Sequence, residues 1–216
     1  MFKLHNPLVV LDLEATAEKE GRVQKNDYII DIGAVLLDEN LQEVDRFDAL
    51  VKPGVPVNEF ITKLTGISNP MLENQPGWEV VGPAFTAWVK GHCGNPKKAR
   101  LAAWGNYFDI PLLRRNYEDK NLDFPFAGTA LDVKTLSFLW LSLSGRRTDK
   151  LNLQILADLM EIKPEGVYHR AITDALVTAR ILQRVWRDLQ GFYLPGKEGD
   201  PFGHFLITPA QSFIES

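Results

Sequence analysis

The chain reads as a mixed α/β domain built round a central sheet. Three observations carry that reading. The first fifty residues hold three segments of β character, most of the remainder shows helical spacing, and one further strand-like run lies among the helices. A chain of 216 residues suits one substantial domain, with 45% hydrophobic residues for a core and 24% charged residues for a surface.

Leu8–Leu13 is a short apolar run of the kind found in a strand buried on both faces. Tyr28–Leu37 is rich in Ile and Val and is closed by the turn cluster Asp38-Glu39-Asn40, and Leu41–Val51 reads as its hairpin partner. Asn58–Leu64 then predicts a short helix, ended by the turn Thr65-Gly66-Ile67-Ser68. Trp78–Val89 carries Val81, Phe85, Trp88 and Val89 at helical intervals. Arg100–Trp104 is the further strand, followed by helices over Ile110–Tyr117 and Leu131–Leu143. Ser144–Lys150 is a polar loop. After it, Leu153, Leu156, Ala157 and Met160 share a helical face, and Ile172, Leu176, Ala179, Trp186 and Leu189 form the buried stripe of a last long helix. Six glycines and prolines from Pro195 to Pro209 mark an extended tail.

Composition narrows the function classes. No apolar run approaches the roughly 18 residues of a membrane-spanning helix, and Leu8-Val9-Val10-Leu11 ends in an acid, unlike a signal peptide. A lone Cys93 forms no internal disulfide and no Cys-x-x-Cys zinc site, so the cytoplasm is the default location. A net charge of −4 argues against a protein that coats long nucleic acid through its general field, but not against one that grips a strand end locally through cations.

The chemistry starts at Asp12-Leu13-Glu14. Side chains alternate along a strand, so both carboxylates project from one face and repel unless something positive lies between them. A hard divalent cation is the natural partner for such oxygens. Taken alone, each acid has a bland explanation: Glu14 as a solvated strand end, Asp109 as a helix N-cap, Asp174 as a first-turn acid favoured by the helix dipole. His169, in a polar turn five residues before Asp174, would by itself pass as a surface residue.

In order, however, VVLDLEAT, YIIDIGAV, ITKLTGIS, WGNYFDIPLL and YHRAITDALVTARIL resemble the three motifs, with connecting segments, of the DnaQ-like exonucleases called DEDDh, from about Leu8 to about Leu189. The resemblance implies a ribonuclease H-like fold, a central five-stranded mixed sheet flanked by helices, with the fifth strand sought near Thr129–Val133. It implies an exonuclease domain over 1–190, with 191–216 a tail packing on or extending from it. It implies 3′–5′ hydrolysis of single-stranded RNA or DNA to nucleoside 5′-monophosphates with two divalent cations, Mg²⁺ or Mn²⁺. In that pattern Asp12 bridges both ions, Glu14 and Asp174 complete the first site, Asp109 assists the second, and His169 is the general base. Nearby carboxylates favour the charged imidazole and bound cations oppose it.

Substrate contacts follow from the same resemblance. Ala15 and Thr16 match positions that hold the terminal sugar, Leu64 a wedge against the terminal base, and Asn106 and Phe108 the nucleotide pocket; core packing explains Leu64 and Phe108 equally well. Apart from the resemblance, Arg146, Arg147 and Lys150 in the loop before the last two helices could track phosphates, although charged loops are usually just solvated. Two departures stand out: Asp31 where the family often has Glu, and the charged insert Glu18–Gln24. The DLEAT start is similar to relatives that act on RNA ends, while the rest fits proofreading subunits of replicative polymerases equally. No polymerase-binding extension is evident, which favours a free-standing enzyme. Several relatives are homodimers, leaving a homodimer open by analogy, and no membrane partner is expected. A silent strand-end binding module would not need all five polar groups. A phosphatase for small esters would use similar ions, but would lack room for a second nucleotide.

Overall fold

A computed structural model of the protein describes residues 4–16, 27–146, 151–191, 193–194 and 204–205. Its first three strands are β1 (Leu8–Ala15), β2 (Ile29–Leu37) and β3 (Glu43–Leu50). Two short helices follow, α1 (Glu59–Thr65) and α2 (Asn69–Leu72), then α3 (Trp78–Cys93). β4 (Arg100–Ala103) leads into α4 (Asp109–Asp119), and β5 (Leu131–Asp132) into α5 (Val133–Leu143). α6 (Leu153–Leu159) and α7 (Ala171–Gly191) complete the set, with a small antiparallel pair, β6 (Tyr193–Leu194) and β7 (His204–Phe205), beyond them.

The sheet order is β3-β2-β1-β4-β5. β1–β2 and β2–β3 are antiparallel while β1–β4 and β4–β5 are parallel, so the sheet is mixed and five-stranded, the ribonuclease H-like arrangement. Strand β2 is buried at every position; β3, at the edge, alternates half-buried and exposed residues through most of its length. Leu8 and Val10 of β1 join Val35 and Leu37 of β2 in a core under α5, α6 and α7, whereas Val9, Leu11 and Leu13 face the core shared with α3 and α4. By the same alternation Asp12 and Glu14 continue the Leu8–Val10 face, towards α7.

Several expectations need correction. The predicted helix Leu131–Leu143 begins two residues later, because Leu131 and Asp132 pair with Ala102 and Ala103 as β5 and Asp132 then caps α5 by accepting from the Thr135 amide at 3.1 Å. The turn expected after α1 is real, with Gly66 at φ 73° ending that helix, but α2 and a 3-10 turn at Pro96–Lys98 were unforeseen. The buried stripe of α7 is wider than the five residues expected: Ala175, Val177, Ile181, Leu182 and Val185 are buried, while Ile172, Trp186 and Leu189 are partly exposed. That helix is covered by the sheet and by α5 and α6, so one face does not suffice. Most of the predicted tail 191–216, the Glu18–Gln24 insert, Arg147 and Lys150 lie outside the described residues.

Candidate active site

Strand β1 delivers two of the acids. Along Leu11–Ala15 burial alternates, with Asp12 and Glu14 the half-open positions between buried Leu11, Leu13 and Ala15. The β1–β2 register shifts between Glu14 and Ala15, a local irregularity at the point where the strand meets the site.

Asp109 arrives from the other side of the sheet. It is not the N-cap of α4, a place held by Phe108, but the first helical residue. Its Oδ1 accepts the Leu13 amide at 3.0 Å in a buried bond that ties the start of α4 to β1 between the two β1 acids.

His169 and Asp174 are placed by β2. Asp12 pairs with Gly33, and a Cβ at Gly33 would lie 2.1 Å from the Ile172 nitrogen, so only glycine allows the start of α7 to settle there. Beside it Asp31, fully buried, accepts from Arg170 Nε at 2.8 Å and from the Ala171 amide at 3.2 Å, both through Oδ2. The loop before α7 is thereby pinned on both sides. Within it His169 adopts φ 63°, a left-handed conformation costly for a non-glycine residue, and its amide donates to Asp174 Oδ2 at 3.2 Å. Backbone strain at this point is held by the Asp31 and Asp174 contacts. The departure of Asp31 from the longer acid thus bears on the loop that carries His169.

Glu14, His169 and Asp174 offer ligand atoms that all lie within 4.8 Å of one another. Asp174 Oδ1 is buried with no hydrogen-bond partner among the described residues. Burial, reinforced by Asp109, Glu14 and Asp174, pushes the Asp12 carboxyl well above its usual range. Glu14 is raised to about 9 by burial and by Asp174, Asp31 and Asp109, with Arg170 opposing. Burial lifts Asp109 to about 7 despite the Leu13 amide, and Asp174 to about 6 despite the His169 amide. Burial and mutual repulsion thus hold these four carboxyls against ionising together.

The site opens into a cavity of about 750 Å³. Asp12, Glu14, Ala15, Leu64, Phe108, Asp109, His169 and Asp174 all line it. Thr16 and Asn106 do not. Thr16 Oγ1 instead accepts the Tyr28 amide at 3.0 Å, and Asn106 Nδ2 donates to the Ala130 carbonyl at 3.0 Å. The cavity also takes in residues that sequence reasoning missed: Phe60, Trp104, Tyr107, Lys134, Asn152, Gln154 and Tyr168. Phe60 had a signal, since it stands four residues before Leu64 and so shares a face of α1. Lys134 and the α6 residues had none, because no periodicity tells which helix ends face a cavity.

Comparison with known proteins supplies the family. The profile of the RNase_T exonuclease family matches residues 9–182. DNA polymerase III PolC-type of Caldanaerobacter subterraneus subsp. tengcongensis is 36% identical over 188 residues, which is 87% of this chain and 12% of that protein. DNA polymerase III subunit epsilon of Aquifex aeolicus is 31% identical over 191 residues, covering 86% of this chain and 83% of the relative. Among solved structures, the nuclease domain of 3′hExo, a DEDDh family member bound to rAMP, superposes with a TM-score of 0.72 at 22% identity, covering 85% of this chain and 92% of that one. That last likeness is one of fold. Among the described residues no helix is long and apolar enough to cross a membrane.

Proposed function

The chain belongs to the RNase_T exonuclease family and is a DnaQ-like 3′–5′ exonuclease domain; from that premise we propose that it shortens single-stranded nucleic acid from the 3′ end, releasing nucleoside 5′-monophosphates. The observation that carries the reading is the convergence of Asp12, Glu14, Asp109, His169 and Asp174, from β1, α4, the loop entering α7 and the first turn of α7, on one cavity.

The donor set fits divalent cations. The close grouping of Glu14, His169 and Asp174, the unpartnered Asp174 Oδ1 and the raised carboxyls each point to missing positive charge, and oxygen-rich donors suit Mg²⁺ or Mn²⁺. Glu14 and Asp174 would hold a first cation, Asp109 would help hold a second, and Asp12 would serve both. Bound cations supply the neutralisation of phosphate charge and a clamp on the attacking and leaving oxygens. His169 takes the proton of the attacking water as general base. Its backbone is held by Asp174, and the next residue, Arg170, by Asp31. Ala15, Leu64 and Phe108 meet the terminal nucleotide; Leu64, 40% exposed at the cavity, is free to press on a base. Thr16 and Asn106 act behind this surface by holding the backbone at Tyr28 and Ala130.

The test uses 3′- and 5′-labelled single-stranded RNA and DNA oligonucleotides with Mg²⁺, Mn²⁺ or EDTA, beside Asp12→Ala. Because the more similar relatives bear DNA polymerase names, DNA is the first substrate to try. Cation-dependent release of mononucleotides from the 3′ end, abolished in Asp12→Ala, is expected. No shortening by folded protein under any cation would overturn the reading and favour a small-ester phosphatase or a silent end-binding module.

A further inference from the structure

The acids of the cavity lie on β1, at the start of α4 and in the first turn of α7. The wall made by the starts of α5 and α6 is different in kind, presenting Lys134, Asn152 and Gln154. Lys134 is the one lysine or arginine among the cavity's described lining residues. Arg46, Arg170 and Arg180 are each held by carboxylates at 2.9 Å or less, whereas no ion pair within 4.0 Å involves Lys134 among the described residues. A cation on the wall of a site with four carboxylates, yet bonded to none of them, is available to a ligand.

The sheet register sets where the backbone at Lys134 lies. β4 pairs with β1 through Ala102 and Val10, and β5 pairs with β4 through Asp132 and Ala103, so Lys134 enters two strands away from the β1 acids. Adjacent strands are about 4.8 Å apart, which offsets the backbone at Lys134 from β1 by about 10 Å. With the reach of a lysine side chain, that offset brings a neighbouring linkage of a bound strand within range of Lys134.

We propose that Lys134 is a substrate-binding residue that grips the phosphate on the 5′ side of the scissile linkage, making the enzyme prefer oligonucleotides to single-phosphate esters. The inference rests on the exonuclease reading above. It also accounts for how a chain of net charge −4 holds an anionic strand near an acidic centre: the grip is local and one-sided.

The experiment compares wild type, Lys134→Ala and Lys134→Arg on a single-stranded DNA oligonucleotide and on the p-nitrophenyl ester of thymidine 5′-monophosphate, which carries only the scissile phosphate. Lys134→Ala is expected to raise KM for the oligonucleotide about five- to tenfold with kcat little changed, to leave the ester unaffected, and to keep the wild-type melting temperature. Lys134→Arg should restore most of the loss. Losing one single-strand phosphate contact lowers the salt slope by about 0.7, so raising salt from about 50 to 200 mM should weaken wild type about 2.6-fold more than the alanine variant. Unchanged KM and salt slope would overturn the proposal, as would an equal loss on both substrates. Wild-type protein that cleaves neither substrate would instead sink the exonuclease reading beneath it.

Discussion

Gly33→Ala should separate catalysis from mere presence of the five polar groups. The new Cβ would sit 2.1 Å from the Ile172 nitrogen, 2.2 Å from the Ala171 carbonyl carbon and 2.3 Å from the Ile172 Cα. All three are backbone atoms, so no side chain can swing aside. Ordinary contact begins at 3.4 Å, and moving from 2.1 to 3.4 Å means that the start of α7 retreats by about 1.3 Å. That segment lies between His169 and Asp174 and is held by Asp31 through Arg170 and Ala171. Overpacking of this kind costs about 1–3 kcal/mol, while a misplacement of about 1 Å in a reacting constellation costs on the order of 100-fold in rate. Single-turnover cleavage of a labelled oligonucleotide at saturating cation, with urea unfolding in parallel, reads both. The control is Gly91→Ala in α3, where nothing lies within 4 Å of the new Cβ; this helix substitution should stabilise by about 0.5–1 kcal/mol. A Gly33→Ala protein with wild-type rate and stability would refute the claim that β2 sets the position of the α7 entry.

Arg170→Ala removes the charged partner of fully buried Asp31 and should cost about 2–3 kcal/mol in urea unfolding, somewhat less than a wholly buried pair because the arginine is 32% exposed; a cycle with Asp31→Asn that proves additive would show the pair uncoupled. The raised carboxyls give a pH dependence with a definite sign. Folded Asp174, Asp109 and Glu14 hold protons to about 6, 7 and 9, whereas unfolded carboxyls release them near 4, so the folded state binds more protons and its stability falls as pH rises across that window. In EDTA the urea midpoint, taken relative to Glu14→Gln, should drop between pH 5 and pH 9, and Mg²⁺ should add more stability at pH 9 than at pH 5; a relative midpoint that rises would contradict the burial of these acids. Phe60→Ala, at a side chain 60% exposed on the cavity rim, should leave stability within about 0.5 kcal/mol. It should raise oligonucleotide KM by loss of a stacking surface, and an unchanged KM would remove Phe60 from the substrate path.

Much of this site was legible in the linear chain because its signals are local. Alternation along Leu8–Ala15 is a period-two property of a strand, and it places Asp12 and Glu14 on one face whatever the rest of the chain does. The same holds for the helical spacing around Asp174 and for the order of the motifs, which carried the family and with it the five-stranded sheet. Strand β5 was only half visible, since two residues are too few to show a period and their pairing with β4 decides them.

What tertiary structure alone decided are the contacts between residues distant in sequence. Leu13 reaches Asp109 across 96 positions and Asp31 reaches Arg170 across 139. These bonds exist because helices from opposite faces of the sheet begin at the same end of its strands, which no local pattern encodes. The sequence marked Gly33 only as a member of a buried strand, and Asp31 as a shorter acid than the family often has there, without its partner. Packing made the first the floor on which α7 rests and the second the anchor of the His169 loop. Lys134 likewise became a wall of the cavity only when β5 took its place two strands from β1, because the side of a helix end that faces a site depends on where the sheet sets it down.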